Sequence, residues 1–231
     1  MSGRRFLVTG GTQGIGAAIV SAAREQGNEV VFTGRDETLL GEISEQTGGR
    51  GVRADVSRAE DNERTVSACV EAMGGVDVLI NNAGWGYFAE IGELEMQRMR
   101  ELFETNVFGL VDITNRVVPL LKEQGRGDIV NIASTSGIRG HARGTAYSAS
   151  KWAVRGISQC WQAELRPHDI RVLSICPSEV QTNWGGRTGG NAPNKLFADD
   201  IAYAVLAALG AESRALWPEL AIFATNPWTS E

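Results

Sequence analysis

Hydrophobic positions along the chain follow two alternating patterns. Short, continuous runs of apolar and β-branched residues are followed by longer segments in which apolar residues recur every three or four positions. The first pattern is typical of buried parallel strands and the second of amphipathic helices. The sequence predicts strands at 5–9, 29–33, 51–54, 76–81, 128–133 and 170–176, and a possible edge strand at 219–223.

Helices are predicted between these strands, at 14–26, 37–46, 58–73, 96–123, 145–166 and 199–209. This alternation predicts an α/β fold in which a mostly parallel, seven-stranded sheet is doubly wound, with helices on both faces and right-handed crossovers. The 231 residues suit a single domain of this kind, spanning 1–231. A Gly- and Asn-rich stretch at about 183–197 is a candidate mobile substrate loop inside that domain.

Composition narrows the function classes. The formal net charge is −6, whereas a sequence-independent grip on nucleic acid requires a basic face. No stretch approaches the roughly 20 apolar residues that a spanning helix needs, and the first apolar run is too short for a signal peptide. We therefore expect a cytoplasmic protein that binds neither nucleic acid nor membrane. The three cysteines show no CxxC spacing, so no metal site or disulfide is expected.

A glycine turn follows the first predicted strand. Residues 9–16 read TGGTQGIG, and a helix begins within them. Glycines at such a strand end let the chain turn sharply and let the backbone approach a pyrophosphate. The helix N-terminus adds free N–H groups and the positive end of a dipole. A nucleotide site is therefore favoured over the alternative, a Gly-rich turn that holds no ligand.

Further motifs follow this turn in a fixed order. Residues 81–84 read NNAG at the end of the fourth strand, Ser134 follows the fifth strand, and residues 147–151 read YSASK in a long helix, with Asn106 in the helix between. Together with the turn, they resemble the motifs of the classical short-chain dehydrogenase/reductase family over nearly the whole chain. The resemblance implies a Rossmann-like domain and an oxidoreductase that moves a hydride between a nicotinamide cofactor and a carbonyl or alcohol.

Tyr147 and Lys151 are four residues apart in a helix and therefore share one face. The reference pKa of a phenol is about 10, and we expect the neighbouring ammonium and an oxidised nicotinamide to lower it. Tyr147 is then the candidate general acid or base, and Ser134 would hydrogen-bond the substrate oxygen. The resemblance implies that Lys151 also holds the nicotinamide ribose and that Asn106 anchors a water linking Lys151 to solvent. Each residue also has an alternative role when it is taken singly. These roles are a packed ring for Tyr147, a solvated ammonium for Lys151, a strand-end cap for Ser134 and a buried amide for Asn106.

The resemblance assigns cofactor contacts along most of the chain. These are Gly10, Thr12, Gln13, Gly14, Ile15, Gly16, Arg35, Asp55, Val56, Asn82, Ala83, Gly84, Tyr147, Lys151, Pro177, Val180 and Thr182. One departure lies after the sixth strand, where Ser178 replaces the glycine that usually follows the proline. We expect cofactor binding to survive that change.

The preference between NAD(H) and NADP(H) is set after the second strand. A carboxylate there accepts from the ribose 2′-hydroxyl of NAD, whereas a cation binds the 2′-phosphate of NADP. By the spacing of the family that the chain resembles, counted from Gly16, the carboxylate position falls on Gly34, and Arg35 follows it. This favours NADP(H), with NAD(H) possible. Asp36 is interpreted as the N-cap of the next helix, and Gln13 stands where many NADP-preferring relatives carry a basic residue. The alternative is that Arg35 is a surface charge.

The substrate pocket is expected between the loops that follow strands four, five and six. Its predicted walls are Trp85, Tyr87, Ile138, His141 and Trp184. The long helices at 96–123 and 145–166 are apolar on more than one face. A soluble monomer rarely exposes such a stripe, so a homodimer or homotetramer is expected.

Two other functions remain open at this point. A 3-oxoacyl-thioester reductase would need a basic patch for an acidic carrier protein, and the candidates are Arg139, Arg143 and Arg187. A non-catalytic nucleotide sensor or scaffold would have no chemical need for Asn106, Ser134, Tyr147 and Lys151 together.

Overall fold

The sheet has seven parallel strands, as seen in a computed structural model that describes residues 2–183, 190 and 192–226. Among these residues the strands are β1 (Arg5–Val8), β2 (Glu29–Gly34), β3 (Arg50–Arg53), β4 (Val78–Asn81), β5 (Gly127–Ile132), β6 (Ile170–Pro177) and β7 (Glu219–Ile222). Their order in the sheet is β3-β2-β1-β4-β5-β6-β7, and every neighbouring pair is parallel. The predicted single α/β domain with helices on both faces is confirmed.

Helices cover both faces of the sheet because successive strand residues point to opposite sides. The helices are α1 (Gly14–Glu25), α2 (Glu37–Thr47), α3 (Ala59–Met73), α4 (Met96–Phe103), α5 (Leu110–Gln124), α6 (Thr145–Leu165) and α7 (Ala198–Leu209). Phe6 and Val8 pack with α1, α2 and α7, whereas Leu7 packs with α3, α5 and α6. Most predicted boundaries are correct to within two residues.

The helix predicted at 96–123 is wrong as a single regular helix. A π-helical segment, Glu104–Gly109, separates α4 from α5. Such segments are rare and occur frequently at functional sites. A Cβ on Gly109 would stand 2.4 Å from the carbonyl oxygen of Val56, so the segment presses against the loop after β3. Asn106 lies inside this segment.

The strand order reverses between β1 and β4, and open α/β sheets bind ligands at the carboxyl ends of the strands beside such a point. The glycine turn after β1, the Asn82 loop after β4, Ser134 after β5 and Pro177 at the end of β6 all lie on this edge. The fold therefore gathers the sequence motifs along one line. None of the helices among the described residues could serve as a membrane-spanning segment.

Candidate active site

A cleft of about 820 Å³ runs along the carboxyl edge of the sheet. This volume lies within the range of small-molecule and cofactor sites. The cleft is lined by every predicted cofactor contact except Gly16, and by three of the four predicted catalytic residues, Ser134, Tyr147 and Lys151. Asn106 does not line it and is buried behind it.

The glycine turn has the shape that a pyrophosphate requires. Gly10 has a φ of +64°, and a Cβ there would stand 2.9 Å from the Cα of Ala83. The Asn82 amide donates to the carbonyl oxygen of Gly10 over 2.9 Å, which ties the turn to the loop after β4. Gln13, the N-cap of α1, makes no side-chain capping bond, so the first N–H groups of that helix stay available to an anion. These residues fit a dinucleotide.

Tyr147, Ser134 and Lys151 meet at the other end of the cleft. The phenol of Tyr147 is hydrogen-bonded to Ser134, and the ammonium nitrogen of Lys151 lies 5.9 Å from the centre of the Tyr147 ring. Lys151 Nζ donates to the carbonyl oxygen of Ile132 over 2.8 Å, which fixes it beneath the end of β5. The spacing of four residues therefore brings both side chains to one face, as the sequence predicted.

Asn106 holds the surroundings of this group together. Its side-chain oxygen accepts from the Trp85 N–H over 3.0 Å, and its Nδ2 donates to the Trp85 carbonyl and to Ser150 Oγ. Ser150 Oγ in turn donates to the Tyr147 carbonyl over 2.8 Å. The π-helical segment is thereby linked to the loop after β4 and to α6.

The pKa of Tyr147 is raised in the ligand-free chain, so the lowering expected from Lys151 and an oxidised nicotinamide together stays a prediction for the cofactor complex. Burial raises the pKa of this phenol to about 12, although the hydrogen bond from Ser134 opposes the rise. Burial also lowers the pKa of Lys151 to about 8. Desolvation of the phenolate dominates because the phenol is enclosed, and the Ser134 hydrogen bond offsets only part of it. Tyr147 is therefore a protonated donor at neutral pH, and Lys151 is mostly charged.

This leads to an expected titration. Without cofactor, Tyr147 should form no tyrosinate up to pH about 10, the reference value of a phenol, because its pKa is raised to about 12. The difference in ultraviolet absorbance between wild type and Tyr147→Phe, followed against pH, isolates this group. Oxidised cofactor should move the transition to lower pH through its positive charge. A tyrosinate signal well below pH 10 in the ligand-free protein would contradict the burial argument.

The substrate end of the cleft differs in part from the predicted walls. Trp85 and His141 line it, together with Phe88, whose ring centre lies 5.3 Å from that of Tyr147. Tyr87 instead accepts a hydrogen bond from the Glu95 N–H, and Ile138 packs into the core beside α6. Trp184, Arg187 and the other residues of 184–189, together with residue 191 of the predicted loop at 183–197, lie outside the described residues.

Phe88 was missed because nothing in the sequence separates it from its aromatic neighbours. It is one of three aromatic residues between positions 85 and 88, with Trp85 and Tyr87, and the sequence does not indicate which of them faces the cleft. Its ring also lies 6.0 Å from that of His141. His141 Nε2 is 3.3 Å from Ser136 Oγ, which adds a polar pair to this apolar wall.

The end of the cleft beside β2 and β3 carries Arg35 and Asp55. Asp36 accepts from the Thr38 and Leu39 N–H groups, so its prediction as the N-cap of α2 is confirmed. The Arg35 side chain is 78% exposed and stands 3.8 Å from Asp55. A Cβ on Gly34 would stand 2.3 Å from Thr12 Cγ2. Thr12 therefore fills the space that a carboxylate-bearing side chain at position 34 would need.

Comparison with known proteins gives consistent matches. The family model described as short chain dehydrogenase matches residues 4–190. An uncharacterised oxidoreductase of Staphylococcus saprophyticus is 37% identical over 209 residues, covering 88% of this chain and 89% of the relative.

Two solved structures illustrate the structural likeness. An alcohol dehydrogenase from the archaeon Thermococcus sibiricus, complexed with 5-hydroxy-NADP, has a TM-score of 0.87 at 28% identity and covers 98% of each chain. A 3-ketoacyl-(acyl-carrier-protein) reductase from Brucella melitensis, complexed with NADH, has a TM-score of 0.87 at 27% identity over 96% of this chain and 97% of that one.

Proposed function

Because the chain belongs to the short-chain dehydrogenase family of oxidoreductases, we propose that it transfers a hydride between NADP(H) and a carbonyl or alcohol substrate. Tyr147 is the general acid or base of this reaction, and Ser134, Lys151 and Asn106 support it. The observation that carries the proposal is the single cleft in which Tyr147, Ser134 and Lys151 face the glycine turn. The named structural neighbours with NADP or NADH agree with a nicotinamide cofactor.

Each side chain has a separate task in the proposed mechanism. When bound, the nicotinamide supplies the hydride in reduction or accepts it in oxidation. Tyr147 holds the proton that neutralises the substrate oxygen in reduction, and Ser134 donates a hydrogen bond to that oxygen. Lys151, charged at neutral pH, stabilises the phenolate that remains on Tyr147. Phe88 packs against the Tyr147 ring and keeps water away from it.

Two features support NADP(H) over NAD(H). Position 34 has no carboxylate to accept from a ribose hydroxyl, and Thr12 occupies the neighbouring space. Arg35 is exposed on the rim of the cleft, and its ion pair with Asp55 is long and solvated. Such a surface pair contributes little, so the guanidinium can turn toward a 2′-phosphate and bind it bidentately.

Arg35→Ala tests this preference. We expect the KM for NADPH to rise about tenfold to a hundredfold, since hydrogen bonds to a charged group contribute about 1.5–3 kcal/mol and about 1.4 kcal/mol is tenfold. The KM for NADH should stay nearly constant, because NADH carries no 2′-phosphate. Arg50→Ala is the matched control, because Arg50 is an arginine at the start of β3 that does not line the cleft. Equal effects on both cofactors would contradict the role of Arg35.

The substrate class is tested by a panel of ketones, aldehydes and 3-oxoacyl thioesters. Consumption of NADPH is followed by absorbance, with NADH in parallel. Turnover confined to 3-oxoacyl thioesters would make the chain a 3-oxoacyl-thioester reductase, and the exposed Arg139 and Arg143 beside His141 are the cations it would use. Cofactor binding without turnover of any carbonyl would favour a sensor or scaffold.

The proposal includes self-association. Phe108, on the π-helical segment, and Trp152, on α6, are both exposed large hydrophobic side chains. A homodimer or homotetramer would cover them, which agrees with the limited apolar surface that soluble monomers expose.

A further inference from the structure

We propose that Arg155 and Glu219 form a clamp that positions Ser134 against Tyr147 and thereby sets the rate of the chemical step. The proposal rests on the proposed function, since it concerns how the catalytic serine is held. Neither residue lines the cleft, so both would act through the turn that follows Ser134.

Arg155 lies on the catalytic face of α6. It follows Tyr147 and Lys151 at intervals of four residues, so the three side chains share one side of the helix. Its guanidinium forks onto Glu219, with Nε 2.7 Å from Oε2 and Nη2 2.8 Å from Oε1. The third nitrogen, Nη1, donates to the carbonyl oxygen of Gly137. One side chain therefore joins α6, β7 and the turn after β5.

The clamp is sheltered from solvent. The side chains of Arg155 and Glu219 are 15% and 33% exposed. Bidentate pairing of this kind fixes direction as well as distance. Glu219 begins β7 and is the register partner of Ser174 on β6. The sheet therefore anchors the backbone that carries this carboxylate. The pair is thus a defined link between the edge strand and α6, unlike the exposed pairs on the surface.

The turn that Arg155 holds is the one that carries Ser134. The 3₁₀ segment Thr135–Gly137 has Ser134 as its N-cap, and the Ser136 N–H donates to Ser134 Oγ over 3.1 Å. A Cβ on Gly137 would stand 2.6 Å from the Lys151 carbonyl oxygen and 3.0 Å from Arg155 Cδ. The turn therefore lies directly on α6 at the level of Lys151, with no side chain in between.

A continuous set of bonds follows from these contacts. Arg155 donates to the Glu219 carboxylate and to the Gly137 carbonyl. In the same turn, the Ser136 N–H donates to the Ser134 hydroxyl, and that hydroxyl is hydrogen-bonded to Tyr147. The turn's own bonds, such as Gly137 N–H to Ser134 carbonyl, keep its shape but do not fix it against α6. Loss of the guanidinium would release that placement, and a displacement of about 1 Å can cost about a hundredfold in rate.

The test compares Arg155→Met, Glu219→Gln and the double variant with wild type. We expect Arg155→Met to lower kcat about tenfold to a hundredfold, with the Kd for NADPH, measured by fluorescence, within about twofold of wild type. Glu219→Gln keeps its shape and should lose kcat less. The double variant should be no slower than Arg155→Met, because both changes break one unit. Arg155→Lys should recover part of kcat, since one ammonium replaces one arm of the fork.

Arg116→Met is the matched control. Arg116 also pairs with acids, Asp112 and Glu63, but it does not line the cleft, so its loss should change the thermal midpoint without changing kcat. Wild-type kcat in Arg155→Met, additive losses in the double variant, or a parallel loss of NADPH binding would each overturn the clamp. If Arg155→Met does not fold, Glu219→Gln and Arg155→Lys carry the same comparison. Wild-type turnover in Tyr147→Phe would instead overturn the proposed function, and with it the clamp.

Discussion

Replacing Tyr147 with Phe is expected to lower kcat by about 10²–10⁴-fold, the usual contribution of a general acid or base. The change removes one oxygen and leaves the ring, which packs against Phe88 in a nearly enclosed position. In reduction the substrate oxygen then lacks its proton donor, and Ser134 alone cannot supply a proton and a hydrogen bond together. Binding of NADPH should persist, because most of the cofactor contacts lie elsewhere in the cleft.

The measurement is kcat for Tyr147→Phe with a substrate from the panel, alongside the NADPH dissociation constant. Tyr203→Phe is the matched control, since that ring is 77% exposed on α7, and its kcat should equal that of wild type. A fall in NADPH affinity as large as the fall in kcat would place Tyr147 in binding and not in proton transfer.

Lys151→Met is expected to abolish turnover and to stabilise the fold. Without the ammonium, the phenolate of Tyr147 has no counter-charge and the proposed ribose contact is lost. Yet the charge is enclosed, and its pKa falls from 10.5 to about 8 by burial, a shift that corresponds to about 3 kcal/mol. Losing the hydrogen bond to the Ile132 carbonyl destabilises the variant by about 1 kcal/mol and so offsets part of this gain. We therefore expect a net gain of about 2 kcal/mol in the free energy of unfolding at pH 7.

The pH dependence of this gain has a definite sign. The folded-state pKa of Lys151 lies below its unfolded value, so the cost of charging it is full below pH about 8 and disappears toward 10.5. Denaturant unfolding of Lys151→Met and wild type should therefore differ most at neutral pH and converge as the pH rises. Lys122→Met, at the exposed end of α5, should show neither effect. A Lys151→Met protein that is less stable than wild type at pH 7 would contradict the burial argument.

The pattern of hydrophobic positions predicted the strands and most of the helices because each of them had a local signal in the sequence. Continuous apolar runs such as Val78–Asn81 identified strands buried on both faces, and the glycine turn fixed where β1 meets α1. The π-helical segment had no such signal, since Glu104–Gly109 keeps helical periodicity. Its form depends on Gly109 contacting Val56 and on Asn106 bonding Trp85, which are tertiary contacts.

The sequence predicted which residues form the site better than it predicted their pKa values. Motif order alone placed Ser134, Tyr147 and Lys151 in one cleft. In the ligand-free chain the pKa of Tyr147 is raised because burial of the phenol dominates. The sequence does not show that burial, because it depends on packing by residues such as Phe88. Arg155 and Glu219 were not found either, because they are 64 residues apart and meet only in the folded chain.

Transfer of label from the cofactor tests the central claim most directly. Wild type and Tyr147→Phe are each mixed with a carbonyl substrate from the panel and NADPH in which both hydrogens at C4 of the dihydronicotinamide are replaced by deuterium, and the alcohol is analysed by mass spectrometry. We expect deuterium on the former carbonyl carbon with wild type and almost no labelled alcohol with Tyr147→Phe. Unlabelled alcohol from wild type, or equal labelled product from both proteins, would contradict the account.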